Sequence, residues 1–394
     1  MKTCNNQLLT IAYVSRDNAK DMHSWSGTVY FMAEALKRQG INLFYIDNLI
    51  KKQNIFPRLI NFVYSRFINI FTNKQFQNNR TIGISKMFAK EIEKRLPENY
   101  DVIFIPSGTL QMAFLKSEKK KVIYNDATFA SMINFYPAFT NLCSRTLKEG
   151  EYIERRAFDN SDLLFFSSDW AAQSAIKDYN VNPSKVKVIP FGANIIKNYT
   201  DTEIAEIINN RCKNINSKCN LLFIGVDWER KGGNIALEIV KKLHCKNVNV
   251  HLDIVGIKNM LFELPDYVTN HGFLNKNLEV DYKKIEALYF NANFFLLPTR
   301  NECYGIVLSE AASFGLPSIT TKTGGTETII KDNINGMTFS LEDPPEKYEE
   351  YICEIIKNHE KYKNLCFSTH NDYKERLNWD VAGKQIVNCI KQIF

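Results

Sequence analysis

Apolar positions fall in short runs separated by longer stretches of helical spacing. The short runs are Leu8–Ser15, Ile41–Ile46, Val102–Pro106, Val122–Asn125, Leu163–Ser167 and Val186–Pro190, followed by Leu221–Gly225, Val248–Gly256, Phe294–Pro298 and Pro317–Thr321. Continuous apolar runs of this length read as strands buried on both faces. Between them, Thr28–Gln39 and Ile235–Leu243 repeat apolar residues at helical spacing. Strands alternating with helices predict parallel sheets covered by helices on both sides. A polar stretch, Asn194–Lys218, divides the series into two sets. Two open α/β domains are therefore expected, residues 1–200 and 201–375, with an amphipathic helix at about 376–394. Ligands in open sheets of this kind lie beyond the C-terminal ends of the strands.

Composition narrows this picture. The 394 residues are 45% hydrophobic and 24% charged, which excludes a disordered chain. The N-terminus has neither the apolar stretch nor the small-residue cleavage site of a secretory signal, and no run approaches the ~20 apolar residues of a membrane span. Nine scattered cysteines without a C-x-x-C pair point to free thiols in a reducing compartment and to no bound metal. A cytoplasmic location is expected. The net charge of +7 suits an anionic partner. Its distribution is uneven: Asn48–Lys90 holds eight basic residues and no acidic one, leaving 42 basic against 43 acidic elsewhere. The excess is thus local, and general affinity for nucleic acid is not expected.

The most informative segment runs from Asn293 to Pro317. A strand ending at Pro298 leads into a polar turn, and a helix follows from about Ile306 to Phe314, with Gly315 as a left-handed terminator and Pro317 just beyond. A helix opening after such a turn presents unpaired N–H groups and the positive end of its dipole, which suits phosphate. Glu302 stands in the turn and Glu310 on the helix, where carboxylates can accept hydrogen bonds from sugar hydroxyls.

This segment resembles the E-x7-E signature of retaining glycosyltransferases of family 4, with the GT-B fold, in which two Rossmann-like domains face each other across a cleft. Other pieces agree in order: Leu222 to Gly233, ending in Arg230-Lys231-Gly232-Gly233; His271-Gly272-Phe273-Leu274; Thr323-Gly324-Gly325; and Asn335-Gly336. Taken singly, each has a bland reading as a turn or an exposed charge pair. Four in register carry the resemblance.

By that resemblance, Lys231 and Arg230 neutralise the donor diphosphate and Glu310 holds the ribose. Glu302 lies by the transferred sugar, with the backbone of Cys303, Tyr304, Gly305 and Ile306 near sugar and phosphate. Gly225 ends the strand before the clamp, and Phe273 lies by the base. A common family form has an arginine directly after the strand-end glycine; here that position is Val226, and Arg230 is the substitute. The Trp25-Ser26-Gly27-Thr28 stretch resembles the glycine loop over donor and acceptor, and its bland reading is a helix start capped by Ser24 or Ser26. His23 stands beside it. Where many members have a histidine, this chain has Asp126, a candidate for the sugar or acceptor.

The resemblance implies transfer from a nucleotide-diphosphate sugar, UDP- or GDP-linked, to a carbohydrate or lipid-linked acceptor in bacterial cell-surface polysaccharide, glycolipid or glycoconjugate synthesis. It implies no further cofactor and no catalytic metal. Two rivals are a sugar-nucleotide epimerase or hydrolase on the same fold, and an inactive GT-B core that binds membrane or nucleic acid. Within the basic segment, Pro57 begins a helical pattern with Leu59, Phe62, Val63, Phe67, Ile70 and Phe71 on one face. Two readings stay open: residues 50–90 lie on an anionic membrane, making the protein peripheral on its inner face, or the helix packs on the first sheet.

Overall fold

The computed structural model describes residues 9–22, 24–49, 55–197, 199–215, 218–260 and 262–394, and His23 and Cys4 lie outside the described residues. Two units divide the chain, 1–189 with 382–394, and 190–381.

In the first unit the predicted strands form β1 (Thr10–Val14), β2 (Asn42–Ile46), β3 (Val102–Pro106), β4 (Lys120–Asn125), β5 (Leu163–Phe166) and β6 (Val186–Val188). They pair in the order β2-β1-β3-β4-β5-β6, all parallel. Strand β3 is buried along its whole length, as its unbroken apolar run requires. The helices are α1 (Thr28–Arg38), α2 (Ile55–Thr72), α3 (Ile82–Arg95), α4 (Thr109–Met112), α5 (Phe129–Met132), α6 (Ser144–Asp159) and α7 (Asp169–Tyr179). Helices α3, α6 and α7 contribute Ile84, Phe88, Ile92, Ile153, Phe158, Ala171 and Ala175 to the core against Ile103, Ile105, Ile123 and Leu164.

The second unit contains α8 (Asp201–Asn214), β7 (Cys219–Ile224), α9 (Gly233–Cys245), β8 (Val250–Val255), β9 (Val268–Asn270), α10 (Glu279–Asn291), β10 (Phe294–Leu297), α11 (Ile306–Ser313), β11 (Ser318–Thr321), α12 (Thr326–Ile329), β12 (Gly336–Phe339), α13 (Pro345–Lys357) and α14 (His359–Arg376). Its parallel strand order, β12-β11-β10-β7-β8-β9, is the doubly wound Rossmann order. A last helix, α15 (Trp379–Lys391), contributes to the first unit from Ala382 onward, where Gly383 packs against the backbone of Ala35. Two Rossmann-like halves of six strands each are thus observed.

Two alternatives that the residue pattern left open do not hold, and each marks a local change. Neither Ser24 nor Ser26 caps α1: Gly27 takes the N-cap position, after a short 3-10 turn in which Trp25, Ser26 and Gly27 all have left-handed backbone (φ 48°, 57° and 88°). Two successive non-glycine residues with such backbone, Trp25 and Ser26, are unusual. The second change concerns α2. Its apolar side chains do not pack on the sheet: Leu59, Ile60, Phe62, Val63, Phe67, Ile70 and Phe71 are each more than half exposed.

Candidate active site

In the second sheet the chain reverses direction of progress between β7 and β10, which are paired neighbours. The C-terminal ends of these two strands form the switch point, where ligands bind in doubly wound sheets. The loop after β7 carries Gly225 to Gly232, and the loop after β10 carries Pro298 to Gly305.

Backbone contacts join the two loops. The Arg230 carbonyl accepts from the Arg300 amide (2.8 Å) and from the Thr299 hydroxyl (3.1 Å). Gly232, with φ +75°, is the N-cap of α9, and a Cβ there would stand 1.9 Å from the Pro298 carbonyl oxygen. Only glycine tolerates both that backbone and that approach. Gly232→Ala is therefore expected to destabilise the fold by about 3 kcal/mol and lower Tm by roughly 5–10 °C. A thermal melt checks this, and an unchanged Tm would refute the close approach. The loop after β11 joins the same cluster, with the Gly325 amide donating to the Glu302 carbonyl (3.1 Å) and the Thr323 hydroxyl donating to the Arg300 carbonyl (3.0 Å).

These joined loops set three charged groups together. The Lys231 ammonium donates to Glu302 Oε2, and both residues are largely buried. Gly225 makes room for the lysine stem, since a Cβ there would meet Lys231 Cγ at 2.8 Å. Arg230 lies 3.7 Å from the same Glu302 oxygen, donates to the Asn301 carbonyl (3.0 Å), and approaches Asp227 at 3.4 Å. With Asp227 counted, two cations stand against two carboxylates, of which only Glu302 is buried. Gly305, at φ +92°, is the N-cap of α11 and supplies no side-chain cap. The start of that helix brings a positive dipole end of its own to the loop.

Glu310 is fully buried on α11. Its Oε1 accepts from the Lys276 ammonium and its Oε2 from the Tyr289 hydroxyl (3.1 Å). Burial, and then the Glu310 carboxylate, hold the Tyr289 phenol well above its ordinary range, so it stays a donor.

The remaining candidates divide. Phe273 is half-exposed beyond β9, with the Lys258 ammonium 5.6 Å from its ring centre. Nearby His271 pairs with Asp253 at 2.7 Å. The side chains of Cys303 and Tyr304 are buried, and the Tyr304 hydroxyl donates to the Phe191 carbonyl (2.7 Å), which gives that side chain a structural task. Ile306 opens α11. Gly27, Thr28 and Asp126 belong to the first unit: Thr28 is buried at the start of α1, and Asp126 is half-buried just after β4.

Several polar groups carried no legible signal. Lys276 sits in a polar loop whose partner is 34 residues away, and Tyr289 reads as a core aromatic. In the first unit, Asn125 Oδ1 and Ser167 Oγ, at the C-terminal ends of β4 and β5, are buried without a hydrogen-bond partner. Such orphaned atoms at strand ends are where a ligand group would satisfy them.

Basic residues and a helix start at the switch point of a Rossmann half are features that favour an anionic ligand there. The family model described as Glycosyl transferases group 1 matches residues 206–366, within the second unit. Among curated proteins, an uncharacterized 41.2 kDa protein in the cps region of Klebsiella pneumoniae is 22% identical over 286 residues, covering 70% of this chain and 74% of its own. An uncharacterized glycosyltransferase of Methanocaldococcus jannaschii is 21% identical, covering 86% of this chain and 91% of its own. Among solved structures, Anabaena HepE in complex with UDP and glucose matches with TM-score 0.62 at 13% identity, covering 98% of this chain and 100% of that one. The fold is that of GT-B glycosyltransferases, and the family model and a relative named as a glycosyltransferase agree with it.

Proposed function

We propose that this chain is a retaining, family 4 enzyme that moves a sugar from a UDP- or GDP-linked donor to an acceptor hydroxyl, in bacterial cell-surface polysaccharide, glycolipid or glycoconjugate synthesis. The observation that carries the reading is the Lys231–Glu302 pair with Arg230 beside it, held at the switch point next to the start of α11. Cleavage of the bond between the anomeric carbon and the phosphate oxygen sends its electron pair to the diphosphate and leaves oxocarbenium character on the sugar. Lys231, Arg230 and the helix start would stabilise that departing charge. The acceptor oxygen attacks from the same face, and its proton passes to the leaving phosphate oxygen. The products are the glycosylated acceptor and a nucleoside diphosphate. In this scheme no resident metal is required, because the cationic side chains supply the positive potential. Glu302 would orient the sugar, Glu310 the ribose hydroxyls, and Asp126 a sugar or acceptor hydroxyl. We place the reaction in the cytoplasm, at the inner membrane face, with a carbohydrate or lipid-linked acceptor.

A thermal-shift series with UDP, GDP and ADP tests the donor reading. A bound ligand at about 100 times its Kd stabilises by about 2.7 kcal/mol, so one of these should raise Tm by several degrees. The matching sugar donor then supplies the product for proton NMR, where the anomeric configuration of the donor should be kept. Inversion would refute retention, and a melt indifferent to all three nucleotides would refute the donor site.

A further inference from the structure

Helix α2 packs the wrong way round for a soluble domain. An amphipathic helix normally turns its apolar stripe inward. Here Leu59, Ile60, Phe62, Val63, Phe67, Ile70 and Phe71 are 53–72% exposed, while Asn61 is buried. At 100° per residue these seven side chains cover about half the circumference. The opposite, narrow face attaches the helix to the rest of the first unit through one polar anchor and a small apolar cluster. The Asn61 amide donates to the Asn78 carbonyl (2.8 Å) and to the Thr81 hydroxyl (3.1 Å). Ile68 and Tyr64 pack on Phe76 and Cys143, and the Arg145 guanidinium lies 4.7 Å from the Tyr64 ring centre.

A contiguous apolar face of this extent on a soluble surface marks an interaction site. The charge around it chooses the partner. Every ionised residue from Asn48 to Lys90 is basic, eight in all; Arg80 is paired with the buried Glu154, whereas Arg66 and Lys74 are exposed along and just after the helix. Pairing with a second copy would set two such segments against each other, and juxtaposed like charges oppose that. No described helix is long and apolar enough to cross a membrane. We infer that α2 lies in the headgroup region of an anionic bilayer, its aromatic and aliphatic face entering the acyl boundary while the basic residues meet lipid phosphate. The surface rests on the proposed function only in what it serves, namely delivery of the enzyme to a lipid-linked acceptor.

Sedimentation with vesicles tests this without any turnover, so its outcome is independent of whether the donor reading stands. Vesicles of equal parts phosphatidylglycerol and phosphatidylcholine should carry the full chain down at least about tenfold better than phosphatidylcholine alone, and added salt should weaken the binding. The triple variant Phe67→Ser, Ile70→Ser, Phe71→Ser should lose about tenfold or more in partitioning at unchanged Tm, because those side chains touch little of the protein. Arg66→Glu with Lys74→Glu should lose the preference for anionic lipid while retaining the fold. Equal binding to neutral vesicles, or full binding by the triple variant, would overturn the proposal. So would a dimer of the wild-type chain by light scattering that the triple variant abolishes.

Discussion

Lys231→Met is expected to lower turnover by about 10²–10³-fold, read as release of nucleoside diphosphate from the matching sugar donor. That is the range seen when one preorganised donor to a developing negative charge is removed. Methionine keeps an unbranched stem over Gly225, where the fit is close, and removes the charge together with the N–H donors. It also leaves the Glu302 carboxylate buried, with Arg230 still 3.7 Å away. Stability should therefore fall as well, since breaking a buried pair from one side uncovers a desolvated charge. The double variant Lys231→Met, Glu302→Gln separates the two effects. It should recover most of the lost Tm and none of the lost rate. Wild-type turnover in the single variant would sink the assignment of Lys231 to the diphosphate.

Glu310 should show the complementary behaviour. Glu310→Gln keeps the shape and one acceptor but loses the charge that the Lys276 ammonium pairs with and a hydroxyl would bind. Hydrogen bonds to charged groups contribute about 1.5–3 kcal/mol, so donor affinity is expected to weaken about 10–100-fold, in KM more than in kcat. Glu310→Ala is a harsher change. It strips both the Lys276 ammonium and the Tyr289 hydroxyl of their acceptor at a fully buried position, and about 3–5 kcal/mol of stability should go with it. Calorimetric titration with the stabilising nucleotide measures the first effect and thermal melting the second. A Gln variant that binds nucleotide as the wild type does would remove Glu310 from the ribose.

Much of this site was legible because its parts are local. A strand, a glycine turn and a helix start follow one another within a dozen residues, and each announces itself by apolar run, glycine or periodicity. Gly232 and Gly305 both prove to hold left-handed backbone at helix N-caps, and the helix predicted from Ile306 begins there. The partners were less legible. Nothing in Asn275-Lys276-Asn277 distinguishes Lys276 from any loop lysine until the sheet brings it to Glu310. At the start of α1 the alternative of a Ser24 or Ser26 cap fails for a related reason: both are good cap residues by type, but the left-handed turn through Trp25 and Ser26 passes that position to Gly27, and the helix begins at Thr28.

Residue pattern by itself determined the two alternating α/β series, their parallel strands and the loops where a phosphate-binding site could form, because burial on both sheet faces and helix periodicity are written in contiguous stretches. It also marked α2 as amphipathic and basic. Tertiary structure alone decided which way that helix faces and which charges pair. Hydrophobic periodicity defines a stripe but not what covers it. The seam through Asn61, Ile68 and Tyr64 turns the stripe outward, and the switch between β7 and β10 places Lys231 on Glu302 across 71 residues of chain.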